Sequence, residues 1–383
     1  LRQVVVLSAK RTPIGKRGGA LKDLSAVSLG IHAAKAAIGE SGVDPNTIDQ
    51  AIFGHVLAAG NGQNVARQIA LQVGMSDDST AMTINQVCGS GLKAVHLGQA
   101  AIQLGEANIV LVGGTESMSN APGLIRHTDN DTAPAVEESL STDGLTDAIN
   151  HEPMGMTAER VARDFHISRA AQDKFTLISH QRAALATKAG RFTDEIVPIG
   201  EMTTDEGIRP NTSMDKLAQL RTIFTEDGTV TAGNASGIND GAAALVLMAK
   251  DVAEAHGLPW LAELTAFDER GIAPSVMGFA PARVIPHVVK KAGWTPADVD
   301  LYELNEAFAA QSLAVMRALE LPADKVNVNG GALALGHPLG ASGARILTTL
   351  IYALQERHLH RGVAALCIGG GMAVGMGVTL PDD

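Results

Sequence analysis

Gly42-Val43-Asp44-Pro45-Asn46-Thr47-Ile48-Asp49 returns 251 residues later as Gly293-Trp294-Thr295-Pro296-Ala297-Asp298-Val299-Asp300. Each block follows an Ala/Lys/Val-rich helical run and precedes an apolar run of strand character, Ala51-Ile52-Phe53-Gly54 in one case and Leu301-Tyr302-Glu303-Leu304 in the other. Further on, Gly89-Ser90-Gly91 matches Ala341-Ser342-Gly343 at an offset of 252. Each of these triplets opens a helix, and each helix leads to a strand that ends in glycines, Ile109 to Gly114 and Ala364 to Gly370. One short match arises by chance or from similar turn chemistry in unrelated α/β segments. Two matches in the same order at nearly the same offset argue for a duplicated α/β unit.

The duplication divides the chain into a first half over 1–250 and a second over 257–383, and it exposes an insertion. After Gly370 the second half needs only Met372 to Leu380 for its last strand, whereas the first half reaches a comparable strand at Ala243 to Met248. The region from about Ser117 to Asn234 therefore has no counterpart. It holds a polar, acidic stretch from Asp129 to Asp143 and a helix from Thr157 to His166. A second helix runs from Ser168, a good N-cap, to Gly190, a good C-cap. An insertion of this size is expected to cover a site built by the repeated core.

With 383 residues the chain is long enough for two or three domains, and 45% hydrophobic residues with 41 glycines suit tightly packed layers rather than disorder. A formal net charge of −11 argues against a broad nucleic-acid surface, while an anionic small molecule needs only a local group of cations. Two cysteines make no disulfide framework and no Cys-x-x-Cys is present, so no metal site is expected, and reduced thiols fit a reducing, cytoplasmic setting. The least charged stretch, Gly362 to Pro381, is broken repeatedly by glycine and reads as two buried strands around a turn rather than a membrane span. No signal peptide is visible, although an opening Leu1 leaves a trimmed leader open.

Cys88 lies in Asn85-Gln86-Val87-Cys88-Gly89-Ser90-Gly91, between an apparently buried strand, Thr80 to Ile84, and a helix reaching Leu104. A thiol facing the unpaired N–H groups of a helix start is expected to have a lowered pKa and to be a nucleophile, although a single cysteine is more often inert core. Four other segments concentrate polar chemistry among small residues: Asn305-Glu306-Ala307-Phe308-Ala309, Gly336-His337-Pro338-Leu339-Gly340, Cys367-Ile368-Gly369-Gly370-Gly371 and Gly233-Asn234-Ala235-Ser236-Gly237. The repeat puts Cys88 and His337 at related positions, each just ahead of its helix, and a thiol beside an imidazole makes an activated nucleophile.

Together and in this order these segments resemble the thiolases, which join or cleave acyl groups on coenzyme A. The likeness runs from Ala9-Lys10-Arg11-Thr12-Pro13-Ile14-Gly15 to the C-terminal glycine strand. It implies an α/β, thiolase-like duplicated core layered α-β-α-β-α with an inserted loop domain. Asp143-Gly144-Leu145-Thr146-Asp147 and Thr231-Ala232-Gly233-Asn234-Ala235-Ser236-Gly237 are most similar to the acetyl-CoA acetyltransferase branch. That branch implies reversible condensation of two acetyl-CoA to acetoacetyl-CoA and CoA. Cys88 would take the acetyl group after His337 removes its proton, and Cys367 would deprotonate the second acetyl-CoA. One oxyanion site would comprise His337 and a water on Asn305, the other the N–H groups of Cys88 and Gly369.

By motif match, Leu145, Met154, Arg209, Phe224, Ala232 and Ser236 would line the coenzyme A path, with Arg209 at the nucleotide end, while Met277 and Phe308 would bound the acyl pocket and Ala307 would also contact the substrate. The acetyl-transferring branch commonly has His before Met-Gly in the pantetheine loop; this chain has Pro153-Met154-Gly155, as do many longer-chain 3-ketoacyl-CoA thiolases. No cofactor is implied beyond the substrates. A homodimer is implied, with a homotetramer as the fuller assembly, although the glycine-rich stretch of the tetramer-forming loop is not evident between Pro122 and Asp143. Three alternatives stay open: a 3-ketoacyl-CoA thiolase, a one-way condensing enzyme (which would lack Cys367), and a non-catalytic acyl-CoA-binding scaffold. A nicotinamide enzyme is disfavoured, because no Gly-x-Gly-x-x-Gly follows the first strand.

Overall fold

The final aspartates of the two repeated octapeptides do the same work. In the computed structural model, which describes residues 1–125 and 135–382, the Asp49 carboxylate accepts the N–H groups of Asn108 at 2.7 Å and Ile109 at 3.0 Å. Asp300 accepts those of His360 at 3.0 Å and Arg361 at 2.8 Å. Each aspartate thereby pins the start of the strand that enters the sheet next to its own, which gives the repeated motif a physical reason.

The first half comprises β1 (Val4–Arg11), α1 (Ala26–Ser41), β2 (Gln50–Gly54), α2 (Val65–Gln72), β3 (Thr80–Ile84), α3 (Ser90–Gln103) and β4 (Ile109–Ser117). Two long helices follow, α4 (Met154–Asp164) and α5 (Arg169–Lys188), before the half closes with β5 (Asn239–Ala249). The second half comprises β6 (Ala262–Gly271), α6 (Pro281–Lys291), β7 (Leu301–Leu304), α7 (Ala309–Ala318), α8 (Leu339–Glu356), β8 (Arg361–Ile368) and β9 (Met372–Thr379). The strand order is β7-β8-β9-β6-β1-β5-β4-β2-β3. The halves repeat the same pairing. β1–β5–β4 is antiparallel with β2 parallel to β4, and β6–β9–β8 is antiparallel with β7 parallel to β8. The parallel partner that β3 supplies in the first half is reduced in the second to a single bridge, Tyr302 to Val326. Within the sheet the halves meet at β1 and β6, where Val5 pairs with Glu263 and Val6 with Ala262.

Strand alternation makes the layers. Val4 and Val6 face a central apolar cluster with Leu92 and Val95 of α3, Leu347 and Ile351 of α8, and Leu366 and Val374 of the second half. Val5 and Leu7 face the opposite way, against Leu29, Ala33 and Ala37 of α1. On the far side of the second half, Val284, Ile285 and Val288 of α6 cover Val363 and Ala365. The result is the five-layered order α-β-α-β-α, with α3 and α8 between the two halves of the sheet. They cross where the sequence repeat placed its glycines: a Cβ on Gly91 would stand 2.7 Å from the Ala344 nitrogen, and one on Gly343 would stand 2.3 Å from the Leu92 nitrogen.

Three expectations are corrected. β3 is the edge of the sheet, paired only to β2, so it is largely exposed rather than buried, with Met82 45% exposed. β4 does not end at Gly113-Gly114 but continues to Ser117, and strand pairing aligns these glycines with Ala365-Leu366 rather than Gly369-Gly370. The first helix of the insertion begins at Met154 instead of Thr157, while Ser168 caps α5 as expected by accepting the Ala171 N–H. Residues 129–134 of the acidic stretch, and part of the Pro122–Asp143 loop, lie outside the described residues.

Candidate active site

Cys88 follows Val87, a β-branched residue at φ +47°, a strained conformation held by the Asn85 side chain accepting the Val87 N–H at 2.8 Å. Ser90 braces the same turn. Its hydroxyl donates to the Val87 carbonyl at 2.6 Å and accepts the Gln86 N–H at 2.8 Å. Gly89 lets the turn lie on the second half, because a Cβ there would stand 2.3 Å from Ile368. The first half's nucleophile turn thus rests on the residue after Cys367.

The expected lowering of the Cys88 pKa is not found. Burial dominates and pushes the thiol up to about 11; the N–H groups of Gly369 and of Cys88 itself oppose this, and the Glu116 carboxylate adds to it. The helix-start argument identified the donors but could not see the apolar walls. The same two N–H groups converge on the sulfur that a thioester carbonyl would approach.

His337 has its ring orientation fixed by the matching serine of the second repeat. The Ser342 hydroxyl donates its one proton to the Pro338 carbonyl at 2.9 Å, so toward the His337 ring, 2.5 Å away, it accepts from Nδ1–H. That leaves Nε2 as the lone-pair nitrogen, and it is buried without a protein partner. Burial, and secondarily Arg345, lower the His337 pKa to about 4, so the ring is a neutral base at pH 7. Asn239 holds the main chain here, its Oδ1 accepting the His337 N–H at 2.9 Å and its Nδ2 donating to the Gly15 carbonyl at 2.9 Å. The carboxylate of Glu116 accepts the N–H of Gly340 at 2.8 Å and those of Val56 and Leu57 at 3.0 and 3.1 Å, locking the start of α8 to the first half.

Cys88, His337 and Gly369 open on one cavity of about 700 Å³. Eight residues expected to contact the substrate line it: Leu145, Met154, Phe224, Ala232, Ser236, Met277, Ala307 and Phe308. Its two sides are stitched together where the Ser236 N–H donates to the Ala307 carbonyl at 2.9 Å and that of Ala309 to the Asn234 carbonyl at 2.9 Å. Gly155 is required because the Phe224 ring occupies the space of any Cβ there, 1.9 Å away.

Three expected residues stand outside the cavity lining. Arg209 lines an adjoining depression that shares Lys16, Ala232, Ala235, Gly237 and Ile238 with the cavity. Cys367 is 1% exposed and packs behind the wall, against Met154, Phe224, Met277, Ala307 and Phe308. Burial first, and Cys88 second, raise its pKa. Asn305 is fully buried and neither atom of its carboxamide has a protein hydrogen bond. Sequence reasoning missed Ser342, Asn239, Glu116 and the cavity cations Lys16 and Arg17. For Ser342 the signal was present, since it occupies the repeated position of Ser90.

A duplicated, layered α/β core that presents a cysteine, a histidine and a glycine N–H from its two halves to one cavity defines a class, and the comparisons agree with it. The family model for the N-terminal domain of thiolase matches residues 4–251, and that for the C-terminal domain matches residues 258–380. The chain belongs to the thiolase family. A probable acetyl-CoA acyltransferase of Staphylococcus epidermidis is 49% identical, over 98% of each chain. An acetyl-CoA acetyltransferase of Chromobacterium violaceum is 48% identical, over 99% of this chain and all of the other. Among solved structures, human mitochondrial 3-ketoacyl-CoA thiolase in complex with CoA superimposes with a TM-score of 0.97 at 44% identity, over 99% of this chain and 98% of that one. The acetyl-CoA acetyltransferase of Bacillus anthracis gives 0.97 at 40% identity, over 100% and 99%.

Proposed function

We propose that the chain is an acetyl-CoA C-acetyltransferase that condenses two acetyl-CoA to acetoacetyl-CoA and CoA, and catalyses the reverse thiolysis. The observation that carries this reading is the unpartnered Nε2 of His337, whose Nδ1 is held on Ser342, with His337 and Cys88 lining the same cavity. In the first step Nε2 takes the Cys88 proton, the sulfur bonds to the thioester carbonyl carbon, and the C–S bond to coenzyme A breaks. The proton passes to the departing thiolate. The carbonyl oxygen lies toward the N–H groups of Cys88 and Gly369. In the second step Cys367, its own proton handed to His337 Nε2, removes a methyl proton from the next acetyl-CoA, with the resulting Nε2–H and a water held by Asn305 stabilising the enolate oxygen. The carbanion attacks the acetyl-cysteine, and the freed Cys88 thiolate takes back the proton from His337 Nε2. One product leaves before the second substrate binds, giving ping-pong kinetics.

No cofactor is required beyond the substrates. The exposed edge β3 supports a homodimer formed beside the nucleophile turn, and a homotetramer is the fuller assembly. Among the described residues no helix is long and apolar enough to cross a membrane; a place in cytoplasmic lipid metabolism accords with the substrate chemistry. The test is to mix the protein with acetyl-CoA and digest it for mass spectrometry. One acetyl group on the Cys88 peptide, lost on adding CoA, is expected; an unmodified peptide refutes the reading and leaves a non-catalytic acyl-CoA-binding scaffold.

A second reading, a 3-ketoacyl-CoA thiolase of fatty-acid breakdown, is favoured by Pro153, which lines the cavity immediately before Met154-Gly155 and offers no hydrogen bond to a bound pantetheine. Competing thiolysis of acetoacetyl-CoA against 3-ketohexadecanoyl-CoA separates the two. A higher kcat/KM for the long chain would establish the second.

A further inference from the structure

We propose that Lys16 and His180 bind the phosphate groups of coenzyme A, between the cavity that holds the thioester and the depression that holds Arg209; this rests on the reading of the cavity as a coenzyme A thioester site. Acyl-pantetheine is uncharged and suits the apolar lining around Leu145, Met154 and Phe224. The phosphates belong where cations first appear along the path. Lys16 lies at that transition, lining both the cavity and the depression that contains His180 and Arg209.

The Lys16 side chain is exposed, and no hydrogen bond or ion pair of its ammonium group is among those of the described residues; only its backbone N–H is engaged, donating to Glu206 at 2.8 Å. Arg17 is a poorer candidate, because it faces Glu138 at 3.6 Å. Lys216, further out beside Arg209, is anchored by donating to the Asn211 carbonyl at 2.7 Å.

His180 is 3% exposed, and its Nδ1 accepts the backbone N–H of Arg209 at 3.1 Å. With Nδ1 committed as an acceptor, the ring proton is on Nε2, which is a donor. Burial first, and Arg209 second, lower its pKa to about 4, so it donates as a neutral ring. His180 therefore both fixes the backbone that carries Arg209 and offers an N–H in the depression that Lys16 and Arg209 also line. On a chain of net charge −11 the two cations Lys16 and Arg209 beside a neutral N–H donor are a local feature that an anionic ligand would seek.

Calorimetric titration with CoA and, separately, with pantetheine tests the assignment without requiring turnover. Lys16→Ala and His180→Asn, the latter keeping an acceptor for the Arg209 N–H, are each expected to weaken CoA binding by about 5- to 20-fold while pantetheine binding stays within about two-fold. The Lys16→Ala protein should also lose part of the salt dependence of CoA binding. Equal loss for both ligands would mean a structural role and overturn the proposal, as would unchanged CoA affinity. If wild type binds CoA but never acetylates Cys88, the catalytic reading fails while the phosphate site is still decided by these titrations.

Discussion

Replacing His337 by alanine separates a base-assisted thiol from a pre-formed thiolate. In the structure the Cys88 thiol sits at about 11 and the His337 imidazole at about 4, so the resting pair at pH 7 is neutral. Without His337 the sulfur reacts only through the thiolate it forms unaided. With a pKa of about 11 that is about one molecule in ten thousand at pH 7. Acetylation of Cys88 by acetyl-CoA should therefore fall about 10³- to 10⁴-fold at pH 7, or about 4–5 kcal/mol of barrier, within the range for loss of a general base. The variant's rate should then climb about tenfold per pH unit. Wild type should be flat across neutral pH, because both groups titrate outside that window. Its rate should decline only as the pH drops through about 4 and protonation removes the Nε2 lone pair. Rapid quenching followed by mass spectrometry of the Cys88 peptide measures the single-turnover rate. A wild-type inflection near pH 8, an ultraviolet thiolate band in the resting enzyme, or a flat variant profile would refute the reasoning.

Ser342→Ala removes the acceptor that holds His337 Nδ1–H, freeing the ring to take the tautomer with the proton on Nε2; kcat should drop about 10- to 100-fold with KM nearly unchanged, and an equal rise in KM would point to cavity damage instead. Cys367→Ala should still acetylate Cys88 in a single turnover but should fail to condense, read as trapped acetyl-enzyme without acetoacetyl-CoA. Gly343→Ala drives a methyl into the Leu92 backbone at the α3–α8 crossing and should destabilise the fold by about 1–3 kcal/mol or more in urea unfolding. Gly39→Ala, on the open side of α1 with nothing within 4 Å, should be neutral or stabilise by up to about 1 kcal/mol.

The duplicated core was legible because its repeats are local chemistry with fixed geometric work. Asp49 and Asp300 cap paired strand starts, Gly91 and Gly343 let two helices cross, and Ser90 and Ser342 brace the turns before them. Eleven of the 25 residues that line the cavity were named through motif likeness. What escaped depends on distance through space. The exposure of β3 follows from its place at the end of the strand order, which its own apolar residues do not encode. Lys16 reads as an ordinary surface lysine until residues 232–238 are folded against it. The Cys88 pKa failed for a related reason, because a helix start is visible in sequence whereas the desolvation imposed by residues from both halves is not.

That failure changes the chemistry for the better. The proposed reaction passes an acetyl group between two thiols, Cys88 and coenzyme A, in both directions. A cysteine held as a stabilised thiolate would be a weaker nucleophile and a better leaving group, because thiolate nucleophilicity falls with pKa. It would give the acetyl group back to coenzyme A. A desolvated sulfur whose pKa is raised favours the acyl-enzyme once its proton has gone, and on the proposed mechanism His337, neutral at pH 7, takes that proton as the C–S bond forms. The N–H groups of Gly369 and Cys88 are too weak to ionise the resting thiol against its burial; in the proposed mechanism they serve instead as donors to the thioester oxygen as it gathers charge.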